Sequence, residues 1–325
     1  MDLETKALLL SFGTVRLAVP KAGDRISTAG PGAGGQSVFF RSGERMVRLS
    51  VVQDAPLRLE MREGEDACAV MLGDREIARG RQVQPLLHCP EQAYITVSER
   101  CIYDCKFCAV PKMRGIVKSR QAVRQMVEAA KGTGRLNAIS LTSGVEASPS
   151  SEGARVAGIV RDLSGFQVPI GVSISPYPGV NQVLKAAGAV EVKYNIEVVD
   201  RDLFSRVCPG IDYEGIMDGL VDAVRVFGKN RVFSNIIVGL GESDKTLRRG
   251  IDELTENGVL PVLRAVYPHP LRVGEVEMVR PTAGRLIDLA RYLKAALEKN
   301  DLDGRSALTG CYRCTGCDLA SGRDL

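Results

Sequence analysis

Two hydrophobic rhythms divide the chain. Up to about residue 90 the apolar positions alternate or fall in short β-rich runs: Val15–Val19, Ser37–Phe40, Met46–Val52, Leu57–Met61 and Ala67–Leu72. Turn-forming stretches such as Lys21–Asp24 and Glu63–Asp66 separate them. This pattern predicts a small mainly-β domain over residues 1–90. The glycine-rich Ala29–Ser37 (AGPGAGGQS) lacks the Gly-Lys-Ser/Thr and the following helix of a phosphate loop, so it reads as a loop between strands.

From Ala93 the rhythm changes to strand, loop and helix in repetition. Strands are expected at Ala93–Val97, Ala138–Thr142, Ile170–Ile174, Val190–Asn195, Val232–Val238 and Val262–Val266. Helical periodicity lies near Gln121–Lys131, Gly153–Leu163, Val180–Ala187, Gly215–Phe227 and Leu247–Asn257. A last helix follows near Arg285–Lys299, with Pro281 and Thr282 as its start signal. Six successive βα units imply an α/β fold with a parallel sheet and right-handed crossovers. Six units are too few to close an eight-stranded barrel, so residues 91–299 are expected to form a partial (βα)6 TIM-like barrel. Chemistry is then expected at the carboxyl ends of the strands. Residues 300–325 form a separate cysteine-rich extension.

Composition narrows the function classes. The chain has 325 residues, 45% hydrophobic and 25% charged, as in a globular protein. Its net charge of +4 is too small to argue for a nucleic-acid partner. No apolar run reaches the ~18 residues of a membrane span, and the acidic start MDLETKALLLSFG is unlike a secretory signal. A cytoplasmic location without membrane association is expected. Nine cysteines then point to metal or redox chemistry rather than disulfides. With only His88 and His269 as imidazoles, a His-rich zinc catalyst is disfavoured.

The decisive motif is Cys101-Ile102-Tyr103-Asp104-Cys105-Lys106-Phe107-Cys108, directly after the first expected barrel strand. Thiolates are soft ligands suited to iron–sulfur clusters and zinc. Three of them in one loop hold three irons of a [4Fe–4S] cube and leave the fourth free for the amino and carboxylate groups of S-adenosylmethionine (SAM). A zinc site usually needs a fourth protein ligand. This C-x3-C-x2-C spacing, with the aromatic Phe107 before the third cysteine, resembles the signature of the radical SAM superfamily. The resemblance implies that superfamily's partial-barrel fold and reductive cleavage of SAM to a 5′-deoxyadenosyl radical.

Within the superfamily, residues from about Ala93 to Val279 are most similar to lipoyl synthases, with parts shared by biotin synthase. The matching segments are Ile139–Ser143 with its acidic turn, Asn195–Val199, Val207–Glu214 and Val238–Asp244, together with Tyr267–Pro270 at a Pro-rich position of that family. The resemblance implies SAM contacts from Phe107, Thr142, Ser143, Gly144, Asn195, Glu197, Arg206, Gly239 and Gly241. It also implies sulfur insertion into an octanoyl chain on a lipoyl-carrier protein, with reduced ferredoxin or flavodoxin supplying electrons. Glu197 reads equally as a buried structural carboxylate, and the glycine segments as plain tight turns.

The chain departs from the pattern in two places. Cys208 stands where the family has arginine before Pro-Gly, making it an extra ligand or active-site thiol, with Arg206 as the arginine's replacement. The family's N-terminal auxiliary cysteines are missing, since only Cys68 and Cys89 lie upstream, and its C-terminal Arg-Ser-Ser-Tyr is not present. Instead Cys311-Tyr312-Arg313-Cys314-Thr315-Gly316-Cys317 forms a C-x2-C-x2-C motif, expected to carry a second [4Fe–4S] cluster with its fourth position open or filled by Cys89 or Cys208. This combination resembles archaeal-type two-component lipoyl synthases and implies a second radical SAM partner subunit. A mutase, methyltransferase or cofactor-assembly enzyme near biotin synthase is the alternative enzyme class. A zinc-stabilised, non-enzymatic scaffold is the alternative outside catalysis.

Overall fold

The structure, a computed structural model, describes residues 1–17 and 35–325. Helix α1 (Leu3–Phe12) is capped by the Asp2 carboxylate, which accepts from the Thr5 amide, and stops at Gly13 in a left-handed conformation. Strands β1 (Thr14–Leu17), β2 (Ser37–Ser42), β3 (Arg45–Val51), β4 (Leu57–Met61), β5 (Ala67–Leu72) and β6 (Arg75–Val83) follow. They close a barrel in the order β1-β3-β2-β6-β5-β4. Its interior is apolar, with Val15, Phe40, Val47, Leu49, Leu57, Cys68 and Val70 buried. Among the described residues, closure leaves no unpaired edge.

Two elements of this region escape the hydrophobic pattern. The sequence of β6, REIARGRQV, is charged at most outward positions, which hides its period. At Gly80 within it a Cβ would meet the Arg41 carbonyl oxygen at 2.0 Å, so close strand approach requires glycine there. The other is α1, whose apolar residues pack on the helix Ala283–Lys299 as well as on the small barrel. The end of the expected strand Val15–Val19, the turn Lys21–Asp24 and most of Ala29–Ser37 lie outside the described residues.

The second unit is a parallel sheet of β7 (Gln92–Thr96), β8 (Ala138–Thr142), β9 (Ile170–Ser173), β10 (Glu191–Lys193), β11 (Val232–Val238) and β12 (Leu260–Ala265), neighbours in chain order. Helices α2 (Arg120–Gly132), α3 (Pro149–Leu163), α4 (Val180–Ala187), α5 (Arg201–Val207), α6 (Tyr213–Phe227), α7 (Asp244–Glu256) and α8 (Ala283–Lys299) alternate with the strands. This is the partial barrel expected from six βα units. The short α5 was not anticipated; its seven residues carry too little periodicity to stand out.

Helix α9 (Gly310–Cys314) completes the chain's elements, and its seat is the main tertiary surprise. Rather than standing apart as a separate extension, the segment crosses the inner face of the sheet nearer the strands' amino-terminal ends. The buried Glu191 carboxylate accepts from the amides of Leu308 and Thr309 at 2.8 Å each, and from the Thr309 hydroxyl at 2.7 Å. Gln92 exchanges two hydrogen bonds with Gly310. The Tyr312 hydroxyl donates to the Pro261 carbonyl at 2.7 Å. Gly171 makes this possible, since a Cβ there would lie 2.0 Å from the Thr309 hydroxyl oxygen.

The small barrel locks the segment from the other side. The Arg48 amide donates to the Gly316 carbonyl at 2.6 Å. Lys6, fully buried, places its ammonium 2.7 Å from both the Asp324 carboxylate and the Thr315 carbonyl. Removing one member of a buried pair strands the other charge, and Asp324 would keep the Ala320 amide at 2.8 Å but, of the cations, only the longer contact to Arg45 at 3.7 Å. Lys6→Met is therefore expected to lower stability by about 3 kcal/mol. Urea denaturation read on the intact chain checks this, and an unchanged midpoint would refute it.

Candidate functional site

Two sets of cysteines face one another through connected cavities inside the partial barrel. The first set sits in the loop after β7. Cys101, Cys105 and Cys108 are each half-buried and line a cavity with Tyr103, Phe107, Thr142, Ser143, Gly144, Asn195, Glu197 and Cys208. The loop is held by backbone bonds rather than by its own side chains: Ile102 donates to Val145, Lys106 to Val207 and Cys108 to Cys105, at 2.7–2.9 Å. The buried Arg272 guanidinium donates to the Cys108 carbonyl at 2.7 Å and pairs with Asp104 and Glu275, also at 2.7 Å. Those cations, Lys106 first and Arg272 second, pull Asp104 down to about 2.

Burial pushes the Cys108 thiol up to about 12 and that of Cys101 upward as well. A thiol hydrogen bond with Cys208, followed by burial, drives Cys105 far higher. Neutral thiols are thus favoured in the bare loop, and a positive centre must be supplied before thiolates become stable. The irons of a cluster would supply it. Among the described residues no three His, Cys, Asp or Glu side chains converge on one point. A cube carries an iron at each of several corners, so its thiolates need not converge on a point.

The other residues expected at this site separate into two groups. Thr142, Ser143, Gly144, Asn195, Glu197 and Phe107 line the cavity. Ser143 is already committed, accepting from the Ser98 amide at 2.9 Å and donating to Glu152 at 2.5 Å. Gly144 serves close packing, because a Cβ would lie 2.3 Å from the Arg100 carbonyl oxygen. Arg206, by contrast, is exposed on α5 and lines neither cavity, since the helix turns it outward while burying Phe204 and Val207. Gly239 and Gly241 also lie outside both cavities. The amide of Gly239 goes to the Glu242 carboxylate at 2.7 Å, and a Cβ on Gly239 would strike the Val279 carbonyl oxygen at 2.1 Å. That glycine admits the close approach of the chain at Val279. Cys208 is buried with its thiol against Cys105.

Glu197 occupies the boundary between the two cavities and has a left-handed φ of 56°. Such a conformation costs a non-glycine residue about 1 kcal/mol or more, and here both backbone polar groups are tied to β11, amide to Asn235 and carbonyl to Ile237. Burial raises its carboxyl to about 7, against the opposing pull of Lys193 and Arg264. An acid raised in the folded state contributes stability that is full below its unfolded value near 4.5 and is lost as pH climbs through about 7. In cluster-free protein, Glu197→Gln is expected to be more stable than wild type at pH 8 by about 1–3 kcal/mol, and nearly equal at pH 5. Urea midpoints at the two pH values check this; an equal gain at both would remove the titration as its cause.

The second cavity shares Phe107, Thr142, Ser173, Asn195 and Glu197 with the first and continues to Cys311, Cys314 and Cys317. Arg264 donates to the Cys311 sulfur at 3.4 Å and Lys193 at 3.8 Å. Phe39 and Arg48 of the small barrel complete the wall. His88 lines it too, held well below its ordinary value, hence neutral, by burial and by Arg48, Arg264 and Lys193. The Asn235 side-chain oxygen, on the same wall, finds no hydrogen-bond partner, as suits a surface built for a polar ligand. Sequence reasoning missed Lys193 and Arg264. The signal was present, since a charged residue inside a buried parallel strand is anomalous.

Residues 95–254 match the family model of the radical SAM superfamily. Among curated relatives, the ribosomal protein uS12 methylthiotransferase RimO of Thermus thermophilus is 28% identical over 185 residues, 50% of this chain and 42% of that protein. The lipoyl synthase of Glaesserella parasuis is 24% identical over 179 residues, 53% of this chain and 55% of that protein. The chain thus spans about half the length of the curated relatives it matches. In solved structures, methylornithine synthase (PylB) shares the fold with a TM-score of 0.53 at 16% identity, covering 72% of this chain and 76% of that one. The hydrogenase maturase HydG of Carboxydothermus hydrogenoformans does so with a TM-score of 0.55 at 16% identity, covering 64% and 51%. No helix among the described residues is long and apolar enough to cross a membrane.

Proposed function

The chain belongs to the radical SAM superfamily, and from that premise we propose that it inserts sulfur into unactivated carbon of an octanoyl chain carried on a protein. Membership implies SAM and a [4Fe–4S] cluster, which together supply hydrogen abstraction from carbon that acid–base groups could not activate. In this reading Cys101, Cys105 and Cys108 hold that cluster, with Thr142, Gly144, Asn195 and Glu197 lining the space for SAM. Cys311, Cys314 and Cys317 hold a second cluster that is the sulfur source.

The observation that carries the reading is the shared wall of the two cavities. Phe107, Thr142, Asn195 and Glu197 border both, so a carbon positioned there lies between the two thiol sets. Proximity of this kind is what a short-lived reactive carbon requires of its sulfur donor. Lys193 and Arg264 offset negative charge at Cys311, and Phe39 with Leu10 adds apolar surface to the wall. Two relatives named for methylthio transfer and lipoyl synthesis also point to carbon–sulfur bond formation. Methylthiolation of a protein side chain is the second reading, favoured by the similarity to RimO over half the chain.

An octanoylated carrier domain is the proposed substrate, with a second radical SAM subunit as partner and reduced ferredoxin or flavodoxin as electron donor. The test is anaerobic incubation of reconstituted protein with SAM, reductant and octanoyl-lysine carrier domain, with and without candidate partner subunits. Product masses raised by one or two sulfur atoms are expected, with sulfide lost from the second cluster. Methyl addition or rearrangement alone, with that cluster intact after many turnovers, would overturn sulfur insertion.

A further inference from the structure

We propose that Cys89 is the fourth protein ligand of the second cluster, so that Cys89, Cys311, Cys314 and Cys317 enclose it and leave no iron open; this rests on the reading that the C-terminal triad carries a [4Fe–4S] cluster. Cys89 comes from the link between β6 and β7, far from the triad in sequence. It is nevertheless buried in a small group with Phe39, Met46 and Cys314, and it lines the same cavity as all three triad cysteines. Its side chain packs against that of Cys314.

The backbone is arranged to bring it there. His88 adopts a left-handed φ of 65°, a costly conformation for a non-glycine residue. The turn is fastened by the Leu86 amide donating to the Cys89 carbonyl at 2.7 Å and Tyr94 to Leu87 at 3.0 Å. The other unassigned thiols are placed differently. Cys68 lies in the apolar core of the small barrel, as structural cysteines do. Cys208 sits against Cys105 in the first cavity.

The charge around the triad accommodates four thiolates. An oxidised [4Fe–4S] core carries two positive charges, so four thiolates leave a net charge of two minus and three leave one minus. Lys193 and Arg264 within reach of the Cys311 sulfur, with Arg48 on the same wall, supply positive charge that accommodates the four-thiolate total. Each thiol gives up its proton to solvent as it binds iron.

The experiment uses full-length protein carrying Cys101→Ala, Cys105→Ala and Cys108→Ala, reconstituted anaerobically so that only the second cluster contributes. Reduced samples are examined by electron paramagnetic resonance with and without 13C-cyanide as a probe for an open iron. The parent is expected to hold about four irons and show no cyanide coupling. Adding Cys89→Ala should either open one iron, giving a shifted spectrum with 13C coupling, or release the cluster, while Cys68→Ala leaves it unchanged. Cys89→Ala in the otherwise native chain should retain the first cluster's spectrum, which reports an intact fold. A parent that binds cyanide, or a Cys89→Ala spectrum unchanged and inert to cyanide, overturns the proposal while leaving the second cluster standing. A parent with no cluster overturns both. Loss of both clusters in Cys89→Ala counts against a ligand role and for a core-packing one.

Discussion

Replacing Cys101, Cys105 or Cys108 singly with alanine is expected to bring 5′-deoxyadenosine formation down to background while leaving the barrel folded. The loop's shape does not depend on these thiols. It is set by the backbone bonds of Ile102, Lys106 and Cys108 and by Arg272, which grips the Cys108 carbonyl and Asp104. Each half-buried cysteine contributes no large packing volume, so truncation removes a ligand without opening the core. Loop residues poised on a rigid scaffold tolerate substitution structurally while losing function. Circular dichroism with SAM-cleavage assays of the three variants makes the check. SAM cleavage at wild-type rate in any of them would remove the first thiol set from the role proposed for it.

Alanine at Cys311, Cys314 and Cys317 together is expected to reduce iron and sulfide to about half of wild type, as loss of one of two similar clusters requires, with SAM cleavage kept. The C-terminal segment should stay seated because its anchors lie elsewhere: Glu191 on Leu308 and Thr309, Gln92 on Gly310, and Lys6 on Asp324 and Thr315. The bare Cys89 that remains supplies too few donors to retain a cluster. Product formation with the octanoylated carrier should disappear while 5′-deoxyadenosine continues to form. Unchanged iron and sulfide would reject the second-cluster reading, and zinc analysis would follow.

Much of the architecture was legible because its signals are local. Ala138–Thr142, Val180–Ala187 and Val232–Val238 coincide with their observed elements, since a buried parallel strand is a short unbroken apolar run and an amphipathic helix repeats every three to four residues. The loop of Cys101, Cys105 and Cys108 was equally visible, three soft ligands within eight positions of one another. The elements that went unseen, α1, β6, α5 and α9, are short, or bury residues against partners remote in sequence, or carry charge where solvent meets the barrel wall.

What the sequence determined by itself is the chemistry on offer: six βα units, two spaced sets of thiols and an acidic residue, Glu197, at a strand end. What only the tertiary structure decided is which groups meet. It turned Arg206 outward, spent the Gly239 amide on Glu242, and seated the final segment across the inside of the sheet. It also brought Cys89, Lys193 and Arg264 around the triad. The reason is physical: a helix or strand declares itself through periodicity within a few residues, whereas a contact such as Lys6 with Asp324 or Cys89 with Cys314 leaves no periodic trace. Such pairs form only when burial forces polar groups from distant segments to satisfy one another.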